Sequence, residues 1–298
     1  MDETFVPSET VRTDGVCGRL FHGLGDGPHP GVLVLHGGGG ARGYEGTYAA
    51  MLAEHGYTVC CVEYFGAPGT RDALVDVPLE EFRDAADWLL DRPDVAGDRV
   101  GVVGFSRGGE ASLVVGARFD AFGAVVAYVP SCFRWQGPSW MAGVGPNQPT
   151  WTLDGDPLPY LRIEKHVATD EIDDPLGNVG PNPPRLALER ASAAERDAAA
   201  IPVERIEGPV LLVSGGRDTL WPSAEMASRA AARLANRDHP WRVEHLENPD
   251  AGHAIRVPYR FDGTTDPTAT HEFGGTNAAN ARAATRAWQR TLSTLARL

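Results

Sequence analysis

Ser106 stands at the centre of Gly104-Phe105-Ser106-Arg107-Gly108, a G-x-S-x-G pentapeptide between an apolar run and a helical pattern. Glycines at these positions leave room for a sharp strand-to-helix turn that lifts the hydroxyl clear of the sheet. A serine hydroxyl is a weak nucleophile at neutral pH and needs an imidazole to take its proton. His253, in Asp250-Ala251-Gly252-His253, follows the last expected strand, whereas His36 sits in a glycine loop, His239 precedes a proline and His245 falls within a strand. The imidazole in turn needs an acid to hold its tautomer. Gly215-Gly216-Arg217-Asp218 offers Asp218 beyond another strand, and the competitor Asp250 lies in the same turn as His253, where a capping role is expected. The tetrahedral intermediate of acyl transfer also needs N–H donors. Arg107, directly after the serine, supplies one, and Gly38 or Gly39 of His36-Gly37-Gly38-Gly39-Gly40 supplies the other. A phosphate loop is the rival reading of those glycines, but it would end in Gly-Lys-Ser/Thr, which is absent.

These residues must be held at the ends of parallel strands. From Gly31, apolar runs alternate with helical patterns, the signature of a mostly parallel sheet covered on both faces. Val32–Leu35, Thr58–Glu63, Val100–Phe105, Phe122–Val129, Val210–Ser214 and Trp241–Leu246 read as strands. Helices are expected over Tyr44–His55, from Pro78 with Phe82, Ala85, Ala86 and Leu89 on one face, and over Gly108–Phe119, Pro222–Ala235 and Asn277–Leu295. Ahead of them, Glu9–Thr13 and Cys17–His22 flank Asp14-Gly15, a hairpin signal, and form an antiparallel edge pair. The sequence thus predicts an α/β chain in which 1–298 form one domain in the α/β-hydrolase order of nucleophile, acid and histidine. Residues 130–200, after the sixth strand, break the rhythm with clustered Pro and Gly and with Trp135, Trp140 and Trp151. They read as an insertion that acts as a lid, with a helical piece over Pro184–Ala200.

Composition removes several other classes. The 298 residues carry 27 basic and 40 acidic side chains, a net charge of −13, with a single lysine, Lys165. Without a basic cluster, nucleic acid and anionic lipid are excluded as partners. No run reaches the roughly 18 to 20 apolar residues of a membrane span, and Met1-Asp2-Glu3-Thr4 does not open a signal peptide, so a cytoplasmic location is expected. Cys17, Cys60, Cys61 and Cys132 lack metal-ligand spacing and are expected as reduced, buried thiols. Neither a metal nor another cofactor is expected.

The motifs resemble the C-terminal catalytic domain shared by acyl-CoA thioesterases and bile acid-CoA:amino acid N-acyltransferases. Gly104 to Glu110 is similar to its elbow, Ile201-Pro202-Val203-Glu204-Arg205 to the signature before its acid strand, and Gly252-His253-Ala254-Ile255 with Pro258-Tyr259 to its histidine turn. Gly274-Gly275-Thr276 and Trp288 are similar to its last segment. The resemblance implies a hydrolase of the dienelactone-hydrolase-like branch whose partner is a small acyl-CoA thioester. Conjugating members use cysteine as nucleophile, so Ser106 implies transfer to water. A carboxylesterase or lactone hydrolase is the alternative, because thioesters and oxygen esters pass through the same oxyanion. Arg134, Arg162 and Arg185 are the candidate cations for a polyanionic substrate on so acidic a chain.

Overall fold

The structure is a computed structural model that describes residues 6–13, 15–138, 147–168, 182–259 and 266–298. In chain order its strands are β1 (Ser8–Thr13), β2 (Val16–Phe21), β3 (His29–Leu35), β4 (Thr58–Val62), β5 (Val77–Pro78), β6 (Val95–Phe105), β7 (Phe122–Tyr128), β8 (Trp151–Leu153), β9 (Asp156–Pro157), β10 (Val210–Gly215) and β11 (Val243–Asn248). The helices are α1 (Tyr44–Glu54), α2 (Glu80–Leu90), α3 (Arg107–Gly116), α4 (Ile163–His166), α5 (Pro183–Arg190), α6 (Ala193–Ala199), α7 (Ser223–Asn236) and α8 (Asn277–Leu295).

Eight strands form one sheet in the order β1-β2-β4-β3-β6-β7-β10-β11. β2 runs antiparallel to both β1 and β4, and every later pairing is parallel. β1 and β2 pair from Ser8↔Phe21 to Thr13↔Val16, as the hairpin signal requires, although Asp14 of that signal lies outside the described residues. Alternation along β3 sends Leu33 and Leu35 to one face and Val32 and Val34 to the other. On the first face they meet Phe82 and Leu89 of α2, Leu113 of α3 and Leu234 of α7. The second face meets Tyr48 and Leu52 of α1 and Ala287 and Trp288 of α8. Two helical layers therefore cover a sheet whose central strands are apolar on both sides, the condition that makes parallel sheets read as continuous apolar runs.

The helical piece expected over Pro184–Ala200 is two helices, α5 and α6, parted where Ser192 caps α6, and the strand expected over Trp241–Leu246 is β11, shifted to Val243–Asn248. β6 begins at Val95 rather than Val100, because His29 and Pro30 pair with Val95 and Ala96 through backbone alone, before a shift in register. A second, three-stranded sheet of β5, β8 and β9 joins the segment before α2 to the 130–200 insertion. Its pieces of two or three residues, two of which contain proline, carry no alternation to read. Within that insertion Trp135 and Trp151 are buried in the core, Trp151 against Phe82 and Tyr64, and Trp140 lies outside the described residues.

The four cysteines are free thiols, three buried and Cys17 half-buried. Cys60 and Cys61 face opposite sides of β4, and burial pushes the Cys60 and Cys132 thiols up to about 12. Among the described residues no helix is long and apolar enough to cross a membrane, and no His, Cys, Asp and Glu cluster could hold a metal ion.

Candidate active site

The turn between β6 and α3 holds Ser106 at φ 58° and ψ −115°, a region that non-glycine residues occupy only when the surroundings force it. The forcing contacts are backbone ones. The Ser106 N–H donates to Tyr128 O at 2.9 Å, and a Cβ at Gly104 would run into Gly108 O, one at Gly108 into Leu35 O. The two glycines of the pentapeptide are there because chain passes over chain at both. Arg107 opens α3, so its N–H is among the first-turn donors that have no partner inside the helix.

His253 lies in the turn after β11 and is buried. Its Nδ1–H donates to Asp218 Oδ2 at 2.8 Å, and that carboxylate is almost fully enclosed. Asp218 Oδ1 accepts from the N–H groups of Leu220 and Trp221 at 3.0 and 3.2 Å, which fixes the carboxylate on the far side from the imidazole. The Nδ1 bond leaves the lone pair of a neutral ring on Nε2, an atom that is buried and makes no hydrogen bond. The ring is wedged between Trp221 and Phe273, with centroids at 5.9 and 6.3 Å. Backbone packing builds this turn: a Cβ at Gly252 would collide with Gly274 O, and Gly252 N–H donates to Asn280 Oδ1 at 2.7 Å. Asp250, by contrast, is largely exposed and pairs with Arg217 at 3.4 Å.

Ser106 and His253 line one cavity of about 820 Å³, together with Gly38, Gly39 and Arg107. The glycine loop is closed by Gly40 N–H donating to Gly37 O at 3.2 Å. A Cβ at Gly37 would sit 3.4 Å from Ser106 Cβ, one at Gly38 3.0 Å from Arg107 Cγ, and one at Gly39 2.9 Å from the Arg42 guanidinium. Gly38 thus lies against the start of α3 while Gly39 lies beneath Arg42. His36 anchors the loop from behind. Its ring stacks on Tyr64 at 4.0 Å, Nδ1–H donates to Gly37 O at 3.0 Å, and burial lowers its pKa to about 4.

The elbow also carries a buried charge cage that no motif in the sequence marks. The Arg107 and Glu110 side chains form a buried ion pair at 2.6 Å, and both extend into the insertion. Arg107 Nη2 donates to Trp135 O and Gln136 O, each at 3.2 Å, and to Thr150 Oγ1. Glu110 Oε1 accepts from Trp135 N–H at 3.2 Å and from Trp151 Nε1–H at 2.7 Å. Burial pushes the Glu110 carboxyl up and the Arg107 guanidinium down, and each charge opposes the other's shift. The readable signal was the i, i+3 spacing of opposite charges in the first turn of a helix, but the backbone carbonyls that complete the cage have no signature.

The pattern of the BAAT / acyl-CoA thioester hydrolase C-terminal family matches residues 77–297. The chain belongs to that family. Human acyl-coenzyme A thioesterase 1 is 30% identical over 262 residues, 85% of this chain and 55% of the thioesterase. Mouse acyl-coenzyme A amino acid N-acyltransferase 1 is 27% identical over 288 residues, 95% of this chain and 63% of that enzyme. The chain therefore spans between half and two thirds of the length of these two relatives. In fold it is similar to a dienelactone hydrolase-like promiscuous phosphotriesterase from metagenomic libraries, with a TM-score of 0.58, 19% identity and 98% of each chain covered. A puromycin-hydrolysing peptidase of Mycobacterium tuberculosis gives 0.57 at 21% identity, over 97% of this chain and 39% of the peptidase.

For this family member the expected cations need correction. Arg134 donates to Pro159 O and Ala198 O, and Arg185 pairs with Glu225. Neither these two nor Arg162 lines the cavity, where Arg42 and Arg256 stand instead. The sequence could not choose among 27 basic residues, because the choice is made by which loops meet.

Proposed function

We propose that this protein is a serine hydrolase that cleaves acyl-CoA thioesters through an acyl-serine intermediate. The observation that carries the proposal is the His253–Asp218 bond at 2.8 Å, with an unpartnered Nε2 in the same cavity as the strained Ser106. Family membership directs it towards thioesters. Ser106 Oγ attacks the thioester carbon as His253 Nε2 takes its proton, and the oxyanion is held by the N–H groups of Arg107 and Gly38. We take Gly38 rather than Gly39 because it packs against Arg107 while Arg42 covers Gly39. The C–S bond then breaks and His253 returns the proton to the leaving sulfur. Water, deprotonated by the same Nε2, attacks the acyl-serine and releases the acid and free Ser106. Each N–H donor contributes roughly 3 kcal/mol to the transition state. Asp218 holds the imidazole in its tautomer and stabilises the imidazolium.

We read the 130–200 insertion as the roof over the acyl group within a single domain. Trp135, Pro138, Ile163 and Pro184 from this insertion supply apolar wall. The deciding experiment follows thiol release from a panel of acyl-CoA esters beside hydrolysis of aryl esters of the same acyl groups. A higher kcat/KM on the best CoA ester is expected, with free acid as product even in glycine or taurine. Turnover of lactones or short aryl esters alone would replace the thioesterase with the carboxylesterase alternative, and amide formation would make it an acyltransferase.

A further inference from the structure

Besides Ser106, a second residue of the cavity wall is held in a conformation that its own side chain opposes. Val129 directly follows β7 and stands at φ 42°. A β-branched residue rarely enters this left-handed region, and Pro130, which comes next, disfavours it further. Val129 is buried where it lines the cavity, so neighbouring groups must enforce the conformation.

Those groups belong to the catalytic arms on either side. β7 lies between the strand that leads to Ser106 and the strand that leads to Asp218, and its last residue, Tyr128, pairs with Phe105 and with Val213. The peptide joining Tyr128 to Val129 is fastened twice: its carbonyl accepts from Ser106 N–H at 2.9 Å, and its N–H donates to Val213 O at 2.6 Å. The next peptide, Val129 to Pro130, has no N–H to donate. Its carbonyl accepts from the Trp221 indole Nε1–H at 2.9 Å. Relaxation of Val129 to negative φ requires one of these two peptides to turn. Turning the first shifts the carbonyl that holds Ser106, and turning the second breaks the indole bond and strands a buried carbonyl. α3 closes over the same place, where a Cβ at Gly109 would sit 2.8 Å from Tyr128 O and 3.4 Å from Pro130 Cα. Trp221 also reaches the other arm. Its backbone N–H donates to Asp218 Oδ1 at 3.2 Å, and its ring meets the His253 ring edge-on, at 72°. One buried residue therefore touches the acid, the imidazole and the strand end beside Ser106.

We propose that Trp221 is a positioning residue, whose indole N–H keeps Val129 in its strained conformation and thereby sets Ser106 against His253. The inference rests on the serine hydrolase reading above. The test is a double-mutant cycle, read by the rate at which a fluorophosphonate labels Ser106 and by kcat on the best ester or thioester. The label needs an activated serine but no particular acyl or leaving group. Trp221→Phe keeps a ring beside His253 and removes the Nε1–H, and it should lower both rates by about tenfold or more, the scale on which small misplacements of reacting groups act. In the Val129→Gly background the same substitution should cost less than about threefold, because glycine holds positive φ without a tie. In the Val129→Ala background the full loss should return, since a Cβ restores the conflict. Replacing the Trp221 indole by benzothiophene keeps the bicycle and exchanges N–H for sulfur, so it should reproduce the Trp221→Phe loss with the cavity shape unchanged. Circular dichroism checks the fold of each variant, and the benzothiophene protein carries the cycle should Trp221→Phe unfold.

Wild-type rates in the benzothiophene protein would overturn the proposal. Equal losses from Trp221→Phe whether position 129 is wild type, Val129→Gly or Val129→Ala would do the same, by reducing Trp221 to packing alone. In both cases a labelled wild type leaves the serine hydrolase reading standing. If the wild type took no label and cleaved neither esters nor thioesters, that reading would fall and the positioning role with it.

Discussion

The two shoulders of the cavity are made by opposite means. On the Ser106 side, α3 is tied to the insertion by a buried ion pair whose hydrogen bonds reach Trp135, Gln136, Thr150 and Trp151. On the histidine side the holding contacts are mostly backbone against backbone, with Gly215, Gly252 and Gly274 stacked so closely that a Cβ on any of them meets a carbonyl oxygen. Close glycine packing leaves one arrangement and depends little on its surroundings. An ion pair taken out of water holds only while both members and their hydrogen bonds are present. The first shoulder should therefore be sensitive to charge, and the second to volume.

The largest expected effects test whether the shoulders meet at one reaction centre. Ser106→Ala should lower kcat by roughly 10⁴ to 10⁶ with the fold intact, and Asp218→Asn should lower it by orders of magnitude because the imidazole loses the partner of its Nδ1–H. Asp250→Asn should leave kcat within about twofold, since an exposed pair with Arg217 at 3.4 Å adds little. The measurement is steady-state kcat on the best substrate with circular dichroism of each variant. Ser106→Ala retaining a tenth of the rate would remove the nucleophile assignment, and a reversed ranking of the aspartates would move the acid to Asp250.

Next in size are substitutions that set charge against volume. Glu110→Gln strands the Arg107 guanidinium in the interior and should cost about 3 to 5 kcal/mol in a urea melt. An apolar pair, Arg107→Met with Glu110→Leu, should recover much of that stability, because ion pairs can be replaced at little net cost when both charges go. Gly252→Ala should destabilise the histidine turn, and no change at Gly274 can relieve it because the obstacle is Gly274 backbone. Recovery absent from the double variant would mean that the cage is fixed by shape rather than charge, and the contrast would collapse.

That contrast also explains what could be read from the sequence. The strand-turn-helix around Ser106 was legible because steric necessity writes itself as glycine at fixed spacing, and Asp218 and His253 because each follows an apolar run. The β1–β2 hairpin was marked by its turn residues. Glu110 was visible as a residue but not as a caged carboxylate, since Trp135 and Trp151 reach it through a chain path that no local pattern encodes. The same applies to Arg42 and Arg256, which line one cavity only after α1 and the histidine turn have packed. The β5-β8-β9 sheet is a product of that packing.

The smallest effect concerns His36, which belongs to the glycine loop beside Ser106. Burial lowers its pKa to about 4 against an ordinary value of 6.5, so the folded protein keeps the ring neutral where the unfolded chain would protonate it. Between pH 6.5 and 4 the unfolded state therefore binds more protons, and stability falls as pH falls through that window, by at most about 3 kcal/mol from this group. Above pH 6.5 both states hold a neutral ring and the contribution is constant. Burial also lowers the pKa values of His245 and His271, so the wild-type slope contains several histidines and must be read against a variant. His36→Gln can still donate to Gly37 O and accept from Tyr64 N–H, the two bonds that the imidazole makes, but it cannot titrate. Urea melts at pH 7 and pH 5 should therefore show a smaller loss of stability for His36→Gln than for the wild type. Equal losses in the two proteins would mean that His36 protonates within the fold, and that burial does not hold the ring beside Ser106 neutral.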